Sequence, residues 1–246
     1  MKAGLAQLFR ETRTQSVAFC EPLSIEDYGL QAEAFTSPPK WHLAHTTWFF
    51  ETFLLKPYLQ GYQCVEPAYE VLFNSYYNGI GEQHPRPKRG LLSRPILPEV
   101  IAYRDRVDAG LEQLLEDTAH PQRDEILRRA ELGVEHERQH QELFFTDLKF
   151  SLAANPLLPA YLPREAGAAN TTTALHWTPF EGGLVETGFS GEGFCFDNEL
   201  PCHRTWIDPF ELANRLVTNE EYAAFITDGG YRRPELWLSD GWDCVQ

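Results

Sequence analysis

The sequence predicts an α+β chain of two domains, a four-helix bundle followed by a smaller, turn-rich α/β domain. Three observations predict it. Apolar residues recur at helical intervals through most of residues 1–155, broken by one long irregular stretch. Composition changes after Asn155 to Pro, Ala and Thr, and then to Gly, Asp and Trp with short apolar pairs. At 246 residues the chain is long enough for one or two domains that each bury a core.

The first helix spans Leu5 to Val17, with apolar residues at roughly helical intervals. A second follows Ser37-Pro38-Pro39, where proline suits a helix start, and runs through Trp41, His45, Trp48, Phe49 and Leu55 to about Leu59. Residues 60–97 are rich in Gly, Pro, Asn and Tyr, and irregular connections of that length are usually functional. The third helix runs from about Pro98 to Asp117, with Val100, Tyr103, Val107, Leu111 and Leu114 on one face. The fourth runs from about Gln122 to Ala154 and stops at Asn155-Pro156. Four amphipathic helices make a bundle the economical architecture for residues 1–155. Residues 156–175 read as a linker. Residues 176–246 read as short strands and tight turns, with one helix that Thr218 caps. This second domain has no closing element and is expected to be incomplete. It is therefore expected to depend on docking to the bundle or on another polypeptide piece.

Charge and composition exclude several classes. Lys and Arg number 21 against 36 Asp and Glu, a net charge of −15 that repels nucleic acid and anionic lipid. No apolar stretch approaches the ~20 residues of a bilayer span. Arg10, Glu11 and Arg13 stand where a signal peptide needs its apolar region, so a soluble, cytoplasmic protein is expected. Five cysteines without a CxxC pair argue against a disulfide framework and a thiolate zinc site.

The sharpest motif is His136-Glu137-Arg138-Gln139-His140. Histidines four apart lie on one helix face about 6 Å apart in rise, so both rings can reach one ion. The pattern is HExxH, the zinc-protease signature, but Leu143 and the lack of a third downstream histidine break its metzincin extension. The plain alternative is a solvated polar face, since Glu135, Glu137, Arg138, Gln141 and Glu142 surround the pair. A second cluster, Trp41-His42-Leu43-Ala44-His45, puts His45 on a largely apolar face. There it is either a hydrogen-bonded core residue or the third member of a metal site. Three neutral imidazoles leave coordination positions open, which suits zinc hydrolysis or oxygen chemistry at iron. Gly133, one turn before His136, would leave space beside such a metal.

SPPKWHLAHTTWFFE, LFNSYYNGIG and VEHERQHQELF, followed by FDNELPCHRTWIDPFELANRLVTNEEYAAFITDGGYRRPELWLSDGW, resemble the iron-dependent sulfoxide synthases of ergothioneine biosynthesis. The resemblance spans nearly the whole chain, in the order of that family. It implies a DinB-like bundle followed by part of a formylglycine-generating-enzyme-like (C-type-lectin-like) domain. It also implies Fe(II) held by His45, His136 and His140, a structural role for His42, and contact of Gln139 with hercynine (trimethylhistidine). The family reaction uses O2 to join the sulfur of cysteine or γ-glutamylcysteine to the imidazole C2 and to oxidise that sulfur. Tyr76 and Tyr77 become candidates for the phenol that steers the chemistry, and Arg86 and Arg89 for holding carboxylates of the sulfur donor. The trimethylammonium group wants an aromatic face, with Trp41, Trp48 and the tyrosine pair as candidates. Remaining alternatives are an ovothiol-type synthase acting on histidine, a DinB-type zinc thiol transferase or hydrolase, and a metal-stabilised binding module without turnover.

Overall fold

Helical periodicity becomes four long helices in the computed structural model, which describes residues 2–75, 77–163 and 172–246. These fall into two units, Met1–Glu165 and Ala166–Gln246. The first is all helix and loop: α1 (Lys2–Ala18), α2 (Pro39–Phe50), α3 (Lys56–Tyr58), α4 (Tyr69–Leu72), α5 (Leu97–Glu116) and α6 (Arg123–Ala153). Helix α2 begins where proline at the first position needs no backbone hydrogen-bond donor. It packs on α5 and α6, while α1 packs on α6, so the four long helices form a bundle.

Helix α2 has no polar stripe because every residue in it except Lys40 is buried. A helix enclosed on all sides shows no amphipathic period. It continues through a π-turn at Glu51–Leu55 into α3. The carboxylate of Glu51 is buried at that turn, where it accepts hydrogen bonds from Tyr62 Oη (2.7 Å), Tyr103 Oη (2.6 Å) and the Val65 amide (3.1 Å). These bonds tie α5 and the following loop to α2.

Charge also sits inside the bundle. Arg13 of α1 reaches Glu137 (2.8 Å) and Asp108 (2.7 Å), and Arg104 of α5 reaches Glu137 (2.9 Å). Ser16 donates to the same carboxylate at 2.6 Å. Three helices are thus clamped around one buried glutamate.

The connection between α3 and α5 is irregular apart from α4 and a 3-10 turn at Arg86–Leu91. Asn74 holds it by donating to the carbonyls of Tyr77, Gly81 and Glu82. Lys40 fixes its far end through the Leu92 carbonyl at 2.9 Å.

The second unit contains β1 (Trp177–Phe180), β2 (Gly183–Thr187), β3 (His203–Ile207) and β4 (Phe210–Ala213). Antiparallel pairing of β1 with β4 and β2 with β3 makes a long two-stranded ribbon with a break in the middle. Gly182 lies at that break with φ +70°, and a Cβ there would stand 2.3 Å from the Ile207 carbonyl, so only glycine fits. Two helices follow, α7 (Asn219–Thr227) and α8 (Ser239–Val245). Thr218 caps α7 in a reciprocal box with Glu221. Among the described residues no helix is long and apolar enough to cross a membrane. The segment 156–175 crosses the division between the units, and its residues 164–171 lie outside those described.

Candidate metal centre

Two helices bring three histidines together. His136 and His140, one turn apart on α6, face α2, and His45 projects from α2 towards them. One nitrogen from each ring lies within 4.8 Å of the others. The rings cross at steep angles, with centroids 5.1 Å apart for His45–His136, 4.6 Å for His45–His140 and 4.6 Å for His136–His140.

Each ring has a distinct second contact. His45 Nδ1 meets the Phe73 carbonyl at 2.6 Å, so the irregular connection sets the orientation of that ring. His140 Nδ1 lies 3.0 Å from His42 Nδ1. His136 Nδ1 is buried without a hydrogen-bond partner. Desolvation lowers the pKa of all three: His45 and His140 well below the usual histidine range, His136 to about 4. They are neutral at physiological pH, with lone pairs to offer. An unsatisfied buried imidazole nitrogen within a neutral histidine trio fits a transition-metal ion such as Fe(II) or zinc.

Glu137 does not serve this cluster. Although burial opposes its charge, Arg13 and Arg104 hold its pKa down at about 2. Its oxygens are taken by Arg13, Arg104 and Ser16. A glutamate locked in that way cannot act as the general base of an HExxH protease. The motif is therefore not a solvated face either, since Glu137 is 0% exposed. Arg138, paired with Glu135 just before the motif, and Gln139 are its exposed members.

Gly133 corrects an expectation of space beside the ion. A Cβ at this position would lie 2.4 Å from the Phe50 ring and 3.0 Å from the Phe49 ring. The missing side chain lets α2 approach α6, and it seats Phe49 with its ring 4.7 Å from His136. The space belongs to rings and not to a ligand.

A cleft of about 660 Å³ opens at the cluster, lined in part by Trp41, Tyr77, Arg86, Arg89, Gln139 and the three histidines. Gln139 is exposed at its edge. Arg89 is buried and donates to Ser37 Oγ and Ser75 Oγ, both at 2.9 Å. Its guanidinium lies 3.4 Å from the centre of the Trp41 ring, which also stacks on His45 at 4.5 Å. Those two contacts occupy Trp41, and Trp48 is fully buried. Among the described candidates for an aromatic face, Tyr77 therefore stays accessible. Its ring packs on Trp48, Phe53 and His136, and burial raises its pKa. Tyr76 lies outside the described residues. Periodicity gave no sign of the buried Glu137 network or of the Phe73 carbonyl, because the partners stand far apart in sequence.

Residues 8–144 match the DinB superfamily, and residues 164–245 match the sulfatase-modifying factor enzyme 1-like domain. The chain is similar to hercynine oxygenases of three mycobacteria. That of Mycolicibacterium thermoresistibile is 32% identical over 224 residues, covering 86% of this chain and 46% of the relative. That of Mycolicibacterium smegmatis is 32% identical over 220 residues, covering 86% and 47%. That of Mycobacterium tuberculosis is 31% identical over 216 residues, covering 86% and 48%. The chain spans about half the length of the curated relatives it matches.

Proposed function

Starting from a chain that belongs to the DinB superfamily, we propose that it takes part in an Fe(II)- and O2-dependent sulfoxide synthase reaction. The reaction joins the sulfur of cysteine or γ-glutamylcysteine to C2 of the hercynine imidazole. One oxygen atom stays on sulfur and the other leaves as water, which carries off the thiol proton and the C2 proton. The carrying observation is the trio His45, His136 and His140, desolvated, neutral and converging at the floor of a cleft. The similarity to hercynine oxygenases supports the choice of substrate.

His45, His136 and His140 would hold the iron, which when bound would supply the redox chemistry for O2 beside the thiol. The chain's own residues do the rest. Arg86 and Arg89 put positive charge in the cleft for substrate carboxylates, and Arg89 is held in place by two serines and Trp41. Gln139, beside His140, contacts hercynine at the rim. Tyr77 presents a ring face to the trimethylammonium group and a protonated phenol to the reacting atoms. The flanking rings Trp48, Phe49 and Phe53 keep water from that side.

Aerobic incubation of the Fe(II)-loaded chain with hercynine and each thiol, read by mass spectrometry, tests the proposal. Formation of the thioether sulfoxide with matching O2 consumption is the expected outcome. Product from histidine in place of hercynine would indicate an ovothiol-type enzyme. Turnover with zinc and without O2 would replace the oxygenase by a thiol transferase. Absence of turnover with either metal would leave a binding module.

A further inference from the structure

His42 stands next to the histidine cluster without belonging to it. It is 5% exposed, and its two ring nitrogens have different partners. Nε2 lies 3.2 Å from Asp147 Oδ2, and Nδ1 lies 3.0 Å from His140 Nδ1. Asp147, itself 5% exposed, also accepts the Ser37 backbone N–H on the same oxygen at 2.8 Å.

Proton accounting along this chain has one solution that serves a metal. A carboxylate only accepts, so the nitrogen facing Asp147 carries the hydrogen, and His42 is an Nε2–H donor. Its Nδ1 in the neutral ring then has a lone pair and can only accept. The facing Nδ1 of His140 must therefore be the N–H, which leaves the lone pair of His140 on Nε2. Reversing the middle bond would put the hydrogen of His140 on Nε2 and remove it as a ligand. A doubly protonated His42 would impose that same reversal, since both of its nitrogens would then donate.

We propose that His42, held by Asp147, is a positioning residue that locks His140 in its Nδ1–H tautomer and aims the Nε2 lone pair into the histidine cluster. This rests on the metal centre proposed above. Metal-bound histidines usually give their second nitrogen to a carboxylate or carbonyl. His45 does so through Phe73, whereas His140 reaches its carboxylate through a second imidazole. The arrangement differs from a core histidine satisfied by chance, because both of its contacts must have fixed polarity.

Two measurements on the whole chain test it. In metal-free protein with 15N-labelled histidine, two-bond 1H–15N correlation should show His140 protonated at Nδ1. His42→Leu should release it into a mixture of tautomers. In anaerobic Fe(II) titration, His42→Leu should weaken affinity about 10- to 100-fold, the usual cost of losing such an orienting partner. His42→Gln offers an amide oxygen to His140 and an amide N–H to Asp147, and should recover most of that loss. Nε2–H on His140 in the wild type overturns the inference, as does undiminished affinity in His42→Leu. Glutamine that is folded yet no better than leucine overturns it too. Failure of the wild type to take up metal instead sinks the metal centre, and the tautomer of the metal-free protein still decides the relay. Should His42→Leu fail to fold, the wild-type tautomer and the glutamine variant decide it.

Discussion

Arg13, Arg104 and Glu137 of the bundle are 3%, 2% and 0% exposed, while Trp206 and Leu216 of the C-terminal unit are 67% and 89% exposed. The bundle buries even its charges. In the other unit Gly230 is the one buried residue among those described. The first region holds its geometry by packing and by paired ions, the second by strand pairing and turn chemistry such as the Thr218–Glu221 box. Fixed positions for several side chains at once are thus a property of the bundle, and that is where the histidines converge. The exposed apolar rings of the second unit are surface that its own fold leaves uncovered.

Substitution at the buried charges should break this contrast most sharply. Glu137→Ala strips Arg104 of its paired carboxylate and leaves Arg13 with Asp108 alone, and removing one partner of a buried pair costs about 3–5 kcal/mol. Urea unfolding should show the loss as a fall in midpoint. A protease-like role for Glu137 would instead leave the midpoint in place and remove only activity. The same assay sharpens the contrast with two tryptophans. Trp48→Ala, at 0% exposure, should cost about 3–5 kcal/mol, while Trp206→Ala should stay within about 0.5 kcal/mol. Equal effects would mean that the C-terminal unit has a core of its own.

Acid should separate the two regions next. His136 has a pKa near 6.5 when unfolded and about 4 when folded, so between those values the unfolded chain holds the extra proton. Stability of the metal-free bundle therefore declines as pH drops below about 6.5, and this contribution is spent near pH 4. Glu137, ordinarily near 4.5 and here about 2, adds a second decline as pH falls through that lower window. Helix content followed by circular dichroism against pH checks both steps. A flat profile from pH 7 to 4 would contradict desolvated histidines. At smaller scale, Gly133→Ala should cost about 1–3 kcal/mol by forcing the Phe49 and Phe50 rings aside.

What could be read from the sequence follows distance along the chain. The limits of α5 and α6 fall within a residue of expectation, because each is set by local periodicity and by proline. The placement of His136 and His140 on one face follows from spacing alone. The bundle and the sheet-containing second part were legible as well, from pattern and composition. The Glu137 clamp was not, since Arg13 and Arg104 lie 124 and 33 residues away and buried arginines look like surface ones in a sequence. The Asp147–His42 contact spans 105 residues and is equally silent. The π-turn at Glu51–Leu55 coincides with three donors converging on the Glu51 carboxylate, a convergence that no single-residue propensity encodes.

A small effect on stability should accompany the largest expected effect on product. Tyr77 is half-buried, and its ring rests on Trp48, Phe49 and Phe53. Tyr77→Phe keeps that packing and removes only the hydroxyl, so the unfolding midpoint should move by less than about 1 kcal/mol. Desolvation keeps the phenol protonated across the working range, which makes it a donor at the cleft. Without it, the reaction proposed here should shift from sulfoxide towards the sulfinate of the thiol, because the hydroxyl that delivers hydrogen beside His136 is gone. Product ratios by mass spectrometry, at matched iron content, measure the shift. An unchanged ratio in a folded, iron-loaded Tyr77→Phe protein would reduce Tyr77 to a packing ring.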